Sequence, residues 1–192
     1  NIATKFFEHF LHIAESMTNM GSDHIGLWDE EDGFYYDALH LPGDTTIPMR
    51  VRSMVGLIPL FAVEILPGSL LEKLPEFSQR LNWFLNYKPG LSSLVAKWEI
   101  PGCHSCRLLS LLPGDRLRRI VQRLLDEDEF FSPYGIRSLS KHHDQHPYEF
   151  VWEGEKFSVS YQPGESQSRM FGGNSNWRGP VWLPLNYLVI HS

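Results

Sequence analysis

The chain has 192 residues, 42% hydrophobic and 13% aromatic, with 17 Lys+Arg against 23 Asp+Glu for a formal net charge of -6. Twelve Phe, seven Tyr and six Trp exclude an intrinsically disordered chain, and the length suits one sizeable core. The acidic balance excludes broad binding to a phosphate backbone, which needs a basic stripe, so no nucleic acid partner is expected.

Ile2, Phe6, Phe10, Ile13, Met17 and Met20 recur at three- and four-residue spacing, the stripe of a helix packed on a core and stopped by Gly21. Residues 34–41 and 45–51 read as two extended segments joined by Pro42-Gly43-Asp44, a β-hairpin. A helix capped by Ser53 runs through Leu57, Leu60, Phe61 and Ile65, with Pro59 in its first turn or kinking it. The apolar residues of 54–66 are broken by Pro59 and Glu64 and fall short of the roughly 20 that cross a bilayer, so no membrane contact is expected in this segment. Residues 70–87 form another helix, with Leu74, Phe77, Leu81, Phe84 and Leu85 on one face.

A further helix follows Asp115, with Leu117, Ile120, Val121, Leu124 and Leu125 inward and Arg116, Arg118, Arg119 and Arg123 outward as a solvated face. Residues 150–161 alternate around Glu153-Gly154-Glu155 as a second hairpin, and a last helix starts near Trp182. Four or five helices separated by long, hairpin-bearing loops predict an all-α fold, a ring of paired helices with loops gathered at one end; a helical bundle is the competing architecture. Both ends of the sequence read as cuts through helices, so the expectation is a fragment of a larger domain.

Cys103-His104-Ser105-Cys106 is too few ligands for a structural zinc site and follows a loop, not a strand, so the thiols are expected to be structural or incidental. His142, His143, Asp144 and His146 precede Pro147 in a polar run that reads as surface loop. The acidic run 126–129 is assigned no role. No metal and no cofactor are expected.

Two segments carry more chemistry. In Gly26-Leu27-Trp28-Asp29-Glu30-Glu31-Asp32-Gly33-Phe34-Tyr35-Tyr36-Asp37, four successive carboxylates are flanked by aromatics at a spacing that does not fit a calcium loop. Aromatic faces stack on the C–H face of a sugar while carboxylates accept its hydroxyl hydrogens; the bland alternative is a hairpin lead-in with core aromatics and solvated acids. In Gly172-Gly173-Asn174-Ser175-Asn176-Trp177-Arg178-Gly179-Pro180-Val181-Trp182, glycines permit close backbone approach while Trp177, Arg178 and Trp182 supply stacking and a fixed donor fork. That segment is neither a serine-hydrolase elbow nor a phosphate loop.

These motifs, with Arg50-Val51-Arg52-Ser53-Met54-Val55-Gly56-Leu57-Ile58-Pro59-Leu60 and Phe131-Ser132-Pro133-Tyr134-Gly135-Ile136-Arg137-Ser138-Leu139-Ser140 between them, resemble glycoside hydrolase family 63, the mannosyl-oligosaccharide glucosidases and their microbial relatives. The resemblance runs in order from residue 28 to the carboxyl end. It implies that residues 1–192 are a partial (α/α)6 toroid of a catalytic domain, truncated at both ends. It also implies an exo-acting α-glucosidase that inverts the anomeric carbon, with an acid and a base roughly 6.5–9.5 Å apart. By the same resemblance the general acid lies upstream of Asn1 and the general base downstream of Ser192, so the segment alone is expected to be inactive.

What carries over is substrate binding to an oligosaccharide or small glucoside: Trp177 and Trp182 border the glucosyl ring, Arg178 stands between them, and Trp28, Asp32 and Tyr36 come from a second loop. The cysteine pair has no counterpart in the family. The rival reading is a non-catalytic helical carbohydrate-binding or scaffold module. With no Asn-x-Ser/Thr and two cysteines only, a cytoplasmic location is favoured over the endoplasmic reticulum lumen.

Overall fold

Apolar residues switch along the chain between helical and alternating spacing, and prolines decide several of the boundaries. The computed structural model describes residues 2–18, 26–43, 45–87, 100, 102–163 and 180–192. Their elements, in chain order, are α1 (Ile2–Thr18), β1 (Trp28–Asp29), β2 (Phe34–Tyr35), β3 (Asp37–Leu41), β4 (Thr45–Met49), a 3-10 helix η1 (Met54–Phe61), β5 (Val63–Leu66), α2 (Gly68–Lys73) and α3 (Pro75–Tyr87). There follow a 3-10 turn η2 (Cys103–Ser105), β6 (Arg107–Ser110), α4 (Gly114–Leu124), α5 (His142–Gln145), β7 (Tyr148–Trp152), β8 (Glu155–Val159) and α6 (Leu183–His191).

The strands form four two-stranded sheets, β1-β2, β3-β4, β5-β6 and β7-β8. The protein is therefore mixed α/β, which corrects the all-α class expected both from periodicity and from the (α/α)6 toroid that the resemblance implies. Two causes are visible. Pro59 has no N–H to give an α-helical ladder, and residues 54–61 wind as a 3-10 helix whose chain then straightens into β5. Residues 63–66, read as the end of a helix, instead pair antiparallel with 107–110, Val63 opposite Ser110 and Leu66 opposite Arg107. The expected helix over 70–87 is likewise two helices, because Leu74 leaves helical geometry and Pro75 starts α3 at the position where a missing N–H is harmless. The two hairpins expected from turn residues form as β3-β4 and β7-β8, the latter turning on Glu153-Gly154.

The chain divides into two compact units, one of Asn1–Trp28, Pro59–Arg118 and Ser192, the other of Asp29–Ile58 and Arg119–His191. In the first, Phe7, Leu11 and Ala14 of α1 pack with Phe77, Leu81 and Phe84 of α3 and with Leu111. The Phe7 ring meets Phe77 and Phe84 edge-on, at 6.0 and 6.3 Å between centroids. This corrects the inward stripe assigned to α1. Phe10 and Met17 border the core, but Ile2, Phe6 and Ile13 are exposed, since the helix is apolar on two faces and the core takes the one through Leu11.

In the second unit, Phe34 is fully buried, stacked on Phe130 at 5.7 Å and tilted against Tyr36 at 5.4 Å. Val51, Leu139 and Val159 form a neighbouring cluster edged by Tyr148. Single bridges, Ser53 to Leu139 and Arg137 to Val181, tie the segments around residues 53, 138 and 180 together. Between these apolar groups sits a cluster of charged side chains.

Candidate functional site

The acidic turn between β1 and β2 closes on itself first. The Asp32 N–H donates to the Asp29 carboxylate at 2.9 Å and the Gly33 N–H to the Asp29 carbonyl at 2.8 Å, an Asx-type turn that needs Gly33 at φ 63°. A Cβ on Gly33 would stand 2.1 Å from Arg119 Nε, and that guanidinium is not free to swing away. It donates to the Glu30 and Glu31 carbonyls at 2.7 and 3.0 Å.

Three further arginines grip the same turn. Arg50 pairs with Asp29 at 2.8 Å, Arg123 donates from Nε and Nη2 to the Asp32 carbonyl, and Arg52 Nη2 reaches the Asp32 carboxylate at 3.1 Å. Arg52 is the hub. Its Nη1 donates to Glu129 at 2.7 Å, its Nε to the Tyr36 hydroxyl at 3.3 Å, and its backbone N–H to His143 Nε2 at 2.9 Å. Tyr36 in turn donates to the second Asp32 oxygen at 2.8 Å. Glu129 also receives Arg123 and the Ser140 hydroxyl.

Two guanidiniums and two carboxylates thus balance in a site where the Arg52 and Glu129 side chains are 11% and 10% exposed. Such burial is tolerable only because every partner is present. Burial works to raise the Asp32 carboxyl, but the Tyr36 hydroxyl and the Arg52 guanidinium outweigh it and hold it below its ordinary value. Burial pushes the Tyr36 hydroxyl up to about 12, with Arg52 opposing, so it stays a donor. Burial, backed by the Arg52 charge, pushes the His143 imidazole down, against the pull of its bond to the His146 carbonyl at 2.9 Å. Accepting at Nε2, the neutral ring carries its proton on Nδ1. Beside it, burial and Arg52 bring His142 down to about 4, with its ring stacked on His146 at 4.4 Å.

A pH dependence follows. A histidine held neutral in the folded state contributes stability that is full above its unfolded value, about 6.5, and is lost as the pH falls below it. Denaturant unfolding of the full-length protein is expected to show stability falling as the pH drops below about 6.5, with His142 and His143 each contributing at most about 1.4 kcal/mol per pH unit. A slope that His143→Gln leaves unchanged would exclude His143 as a source.

Of the residues singled out in the sequence, Asp32 and Tyr36 come together in this cluster. Trp28 is buried, with the Arg116 guanidinium over its ring at 4.9 Å. Trp182 is half-buried and its carbonyl accepts the N–H and the side-chain amide of Asn186. Trp177 and Arg178 lie outside the described residues. Cys103 and Cys106 are free thiols.

Several expectations are overturned here. The arginine face of α4 is solvated only at Arg118, which is exposed: Arg116, Arg119 and Arg123 are committed to Trp28, the acidic turn and Glu129. The acidic run 126–129, given no role, contributes Glu129 to the hub. The histidine segment is partly helical, and His143 is buried, not a surface-loop residue.

The cluster of Arg52, Arg123, Glu129, Ser140 and His143 is not legible in the sequence, because the bonds that join Arg123 to the acidic turn, and Glu129 and His143 to Arg52, span 77 to 91 residues. The available signal is Arg52 beside the apolar residues 54–61, and Glu129 closing the acidic run against Phe130-Phe131. As arranged, both oxygens of Asp32 and both of Glu129 already accept bonds from within the cluster. It holds the acidic turn in place.

Comparison with known proteins adds the context. Residues 106–192 match the family model described as Glycosyl hydrolase family 63 C-terminal domain. An uncharacterized Saccharomyces cerevisiae protein, YMR196W, is 46% identical over 204 residues, which is 100% of this chain and 19% of the yeast protein. A probable mannosyl-oligosaccharide glucosidase of Schizosaccharomyces pombe is 36% identical over 87 residues, 44% of this chain and 8% of the relative. The mannosyl-oligosaccharide glucosidase of S. cerevisiae is 29% identical over 85 residues, 43% of this chain and 7% of the relative. The chain thus spans at most about a fifth of the length of these relatives.

Proposed function

Because the chain belongs to glycoside hydrolase family 63, we propose that it is a segment of an exo-acting, inverting α-glucosidase that removes terminal glucose from an oligosaccharide or glucoside. The observation that carries this reading is the family match over residues 106–192, joined by similarity to two proteins named as mannosyl-oligosaccharide glucosidases. In an inverting reaction one carboxylic acid protonates the leaving oxygen while a carboxylate across the ring activates water. Asp32 and Glu129 suit neither task, since all their oxygens are engaged by arginine, tyrosine and serine. Both reacting carboxylates are assigned to parts of the full-length protein beyond these 192 residues, and the segment alone turns over no glucoside.

The contribution of this segment is the wall of the sugar site. Trp177 and Trp182 border the glucosyl ring, and Arg178 orders nearby carboxylates or donates to hydroxyls. The turn carrying Trp28, Asp32 and Tyr36 forms a second wall, made stiff by the Arg52 cluster so that its geometry is set before substrate arrives. Preorganised walls of this kind hold the reacting bond in register with the catalytic groups. The rival reading, a non-catalytic carbohydrate-binding or scaffold module, draws on that same saturation of Asp32 and Glu129.

The two readings separate on a kinetic experiment. Trp177→Ala in the full-length protein is expected to lower kcat/KM for an α-glucoside by about tenfold or more, the scale of one lost stacking contact. An unchanged kcat/KM removes Trp177 from the site, and a wild-type protein that binds α-glucosides without cleaving them favours the binding module.

A further inference from the structure

Only two cysteines occur in the chain, and the fold puts both in one turn. Gly102 leads into η2, and Cys106 leaves it in extended geometry. Two backbone bonds close the turn: the Cys106 N–H donates to Cys103 O at 3.2 Å, and the Gly102 N–H to Cys106 O at 2.9 Å. Between them Ser105 sits at φ 60°, a left-handed conformation that a non-glycine residue rarely adopts unless its surroundings impose it. The turn is also seated. A Cβ on Gly68, the first residue of α2, would stand 2.9 Å from Ser105 O, and Arg107, next after Cys106, starts β6 opposite Leu66.

This geometry brings the two thiols within reach of each other. A bond from the fourth residue of a turn to the first carbonyl keeps their Cα atoms within about 7 Å, and a disulfide spans roughly 4.4–6.8 Å between Cα atoms. Both thiols are free, Cys103 exposed and Cys106 half-buried. Closing so short a loop removes little entropy from the unfolded chain, so a bond here stabilises the fold far less than one joining distant segments. An exposed thiol that meets a reagent from solvent, with a second thiol beside it to complete the exchange, is instead the arrangement of a reversible oxidation site.

We propose that Cys103 and Cys106 form a reversible thiol–disulfide site whose oxidant is a low-molecular-weight disulfide of the glutathione class. The Cys103 thiolate attacks one sulfur of the oxidant, forming a mixed disulfide and releasing one small thiol. The Cys106 thiolate then attacks Cys103 Sγ and expels the second. Two protein thiols are oxidised to one disulfide, the small disulfide is reduced to two thiols, and the two protons leave on them.

Trypsin cuts after Lys97 and Arg107, so both cysteines fall in one peptide, residues 98–107. Full-length wild type, Cys103→Ser and Cys106→Ser are equilibrated with mixtures of reduced and oxidised glutathione, quenched in acid, alkylated, digested without reductant and read by mass spectrometry. As oxidised glutathione rises, the wild-type peptide is expected to escape alkylation at both cysteines and to be lighter by two hydrogens, and dithiothreitol reverses this. Cys106→Ser is expected to trap glutathione on Cys103, while Cys103→Ser takes it up about tenfold more slowly, since Cys106 is the less accessible sulfur.

Alkylation of both wild-type cysteines at every ratio overturns the site, as does glutathione that stays on wild-type Cys103 without the internal bond forming. A disulfide to a cysteine of another peptide, or stoichiometric zinc that shields both thiols until it is chelated, overturns it too.

Discussion

Arg52→Met is expected to destabilise the full-length protein by about 3 kcal/mol, as read by denaturant unfolding at neutral pH. The side chain is 11% exposed and makes three of the bonds that keep Asp32, Tyr36 and Glu129 satisfied. Removing one partner of a buried pair costs about 3–5 kcal/mol, because the other charge stays behind without water. The low end applies, since Arg123 and Ser140 still serve Glu129 and Tyr36 still serves Asp32. Arg50→Met is the internal control. Arg50 pairs with Asp29 at a similar distance but is 51% exposed, where an ion pair is worth no more than about 1 kcal/mol. Equal losses in the two variants would mean that the hub is not the buried centre of this unit.

Asn186→Leu is expected to cost about 2–3 kcal/mol and to loosen one loop selectively. Its amide satisfies the Ile136 N–H, the Ile136 carbonyl and the Trp182 carbonyl from a site 7% exposed. A buried donor or acceptor left unmade costs about 1–3 kcal/mol. Two of the three are stranded outright, because Trp182 O still receives the Asn186 backbone N–H at 3.1 Å. Hydrogen exchange is the sharper check: the Ile136 amide is expected to exchange about a hundredfold faster while the Arg52 amide, bonded to His143, holds its protection. Parallel loss at both amides would indicate global unfolding instead of a released loop.

Legibility from sequence followed the range of the forces involved. Hairpin turns are local, so Pro42-Gly43 and Glu153-Gly154 identify β3-β4 and β7-β8 from neighbouring residues alone. Helix α4 is legible for the same reason, its apolar residues at helical spacing within eleven positions, although Leu125, expected inward, lies past its end and is exposed. The face a helix buries is not local: α1 has two apolar stripes, and the choice of Phe7, Leu11 and Ala14 over Ile2, Phe6 and Ile13 is made by α3, some seventy residues on. The β5-β6 pair fails for the same reason, since neither strand is longer than four residues and each is recognised only by the other.

The candidate site divides along this line too. Its acidic turn and aromatic flanks stand out as composition and point to Asp32 and Tyr36. Arg52, Glu129 and His143 are separated by 77 and 91 residues and could be joined only by the fold. A sequence reading that sees a carboxylate and imagines a free ligand group misses an arginine already holding it. What the fold adds is that the acidic turn is held in shape by four guanidiniums.

The central claim is that these residues belong to an inverting α-glucosidase. Full-length protein is mixed with kojibiose, nigerose or maltose, and the anomeric protons of the released glucose are followed by NMR from the first minutes, before mutarotation equilibrates them. β-Glucose appearing first, with α-glucose growing in only later, is the predicted result. α-Glucose appearing first, or no glucose from any of the three, would contradict the account.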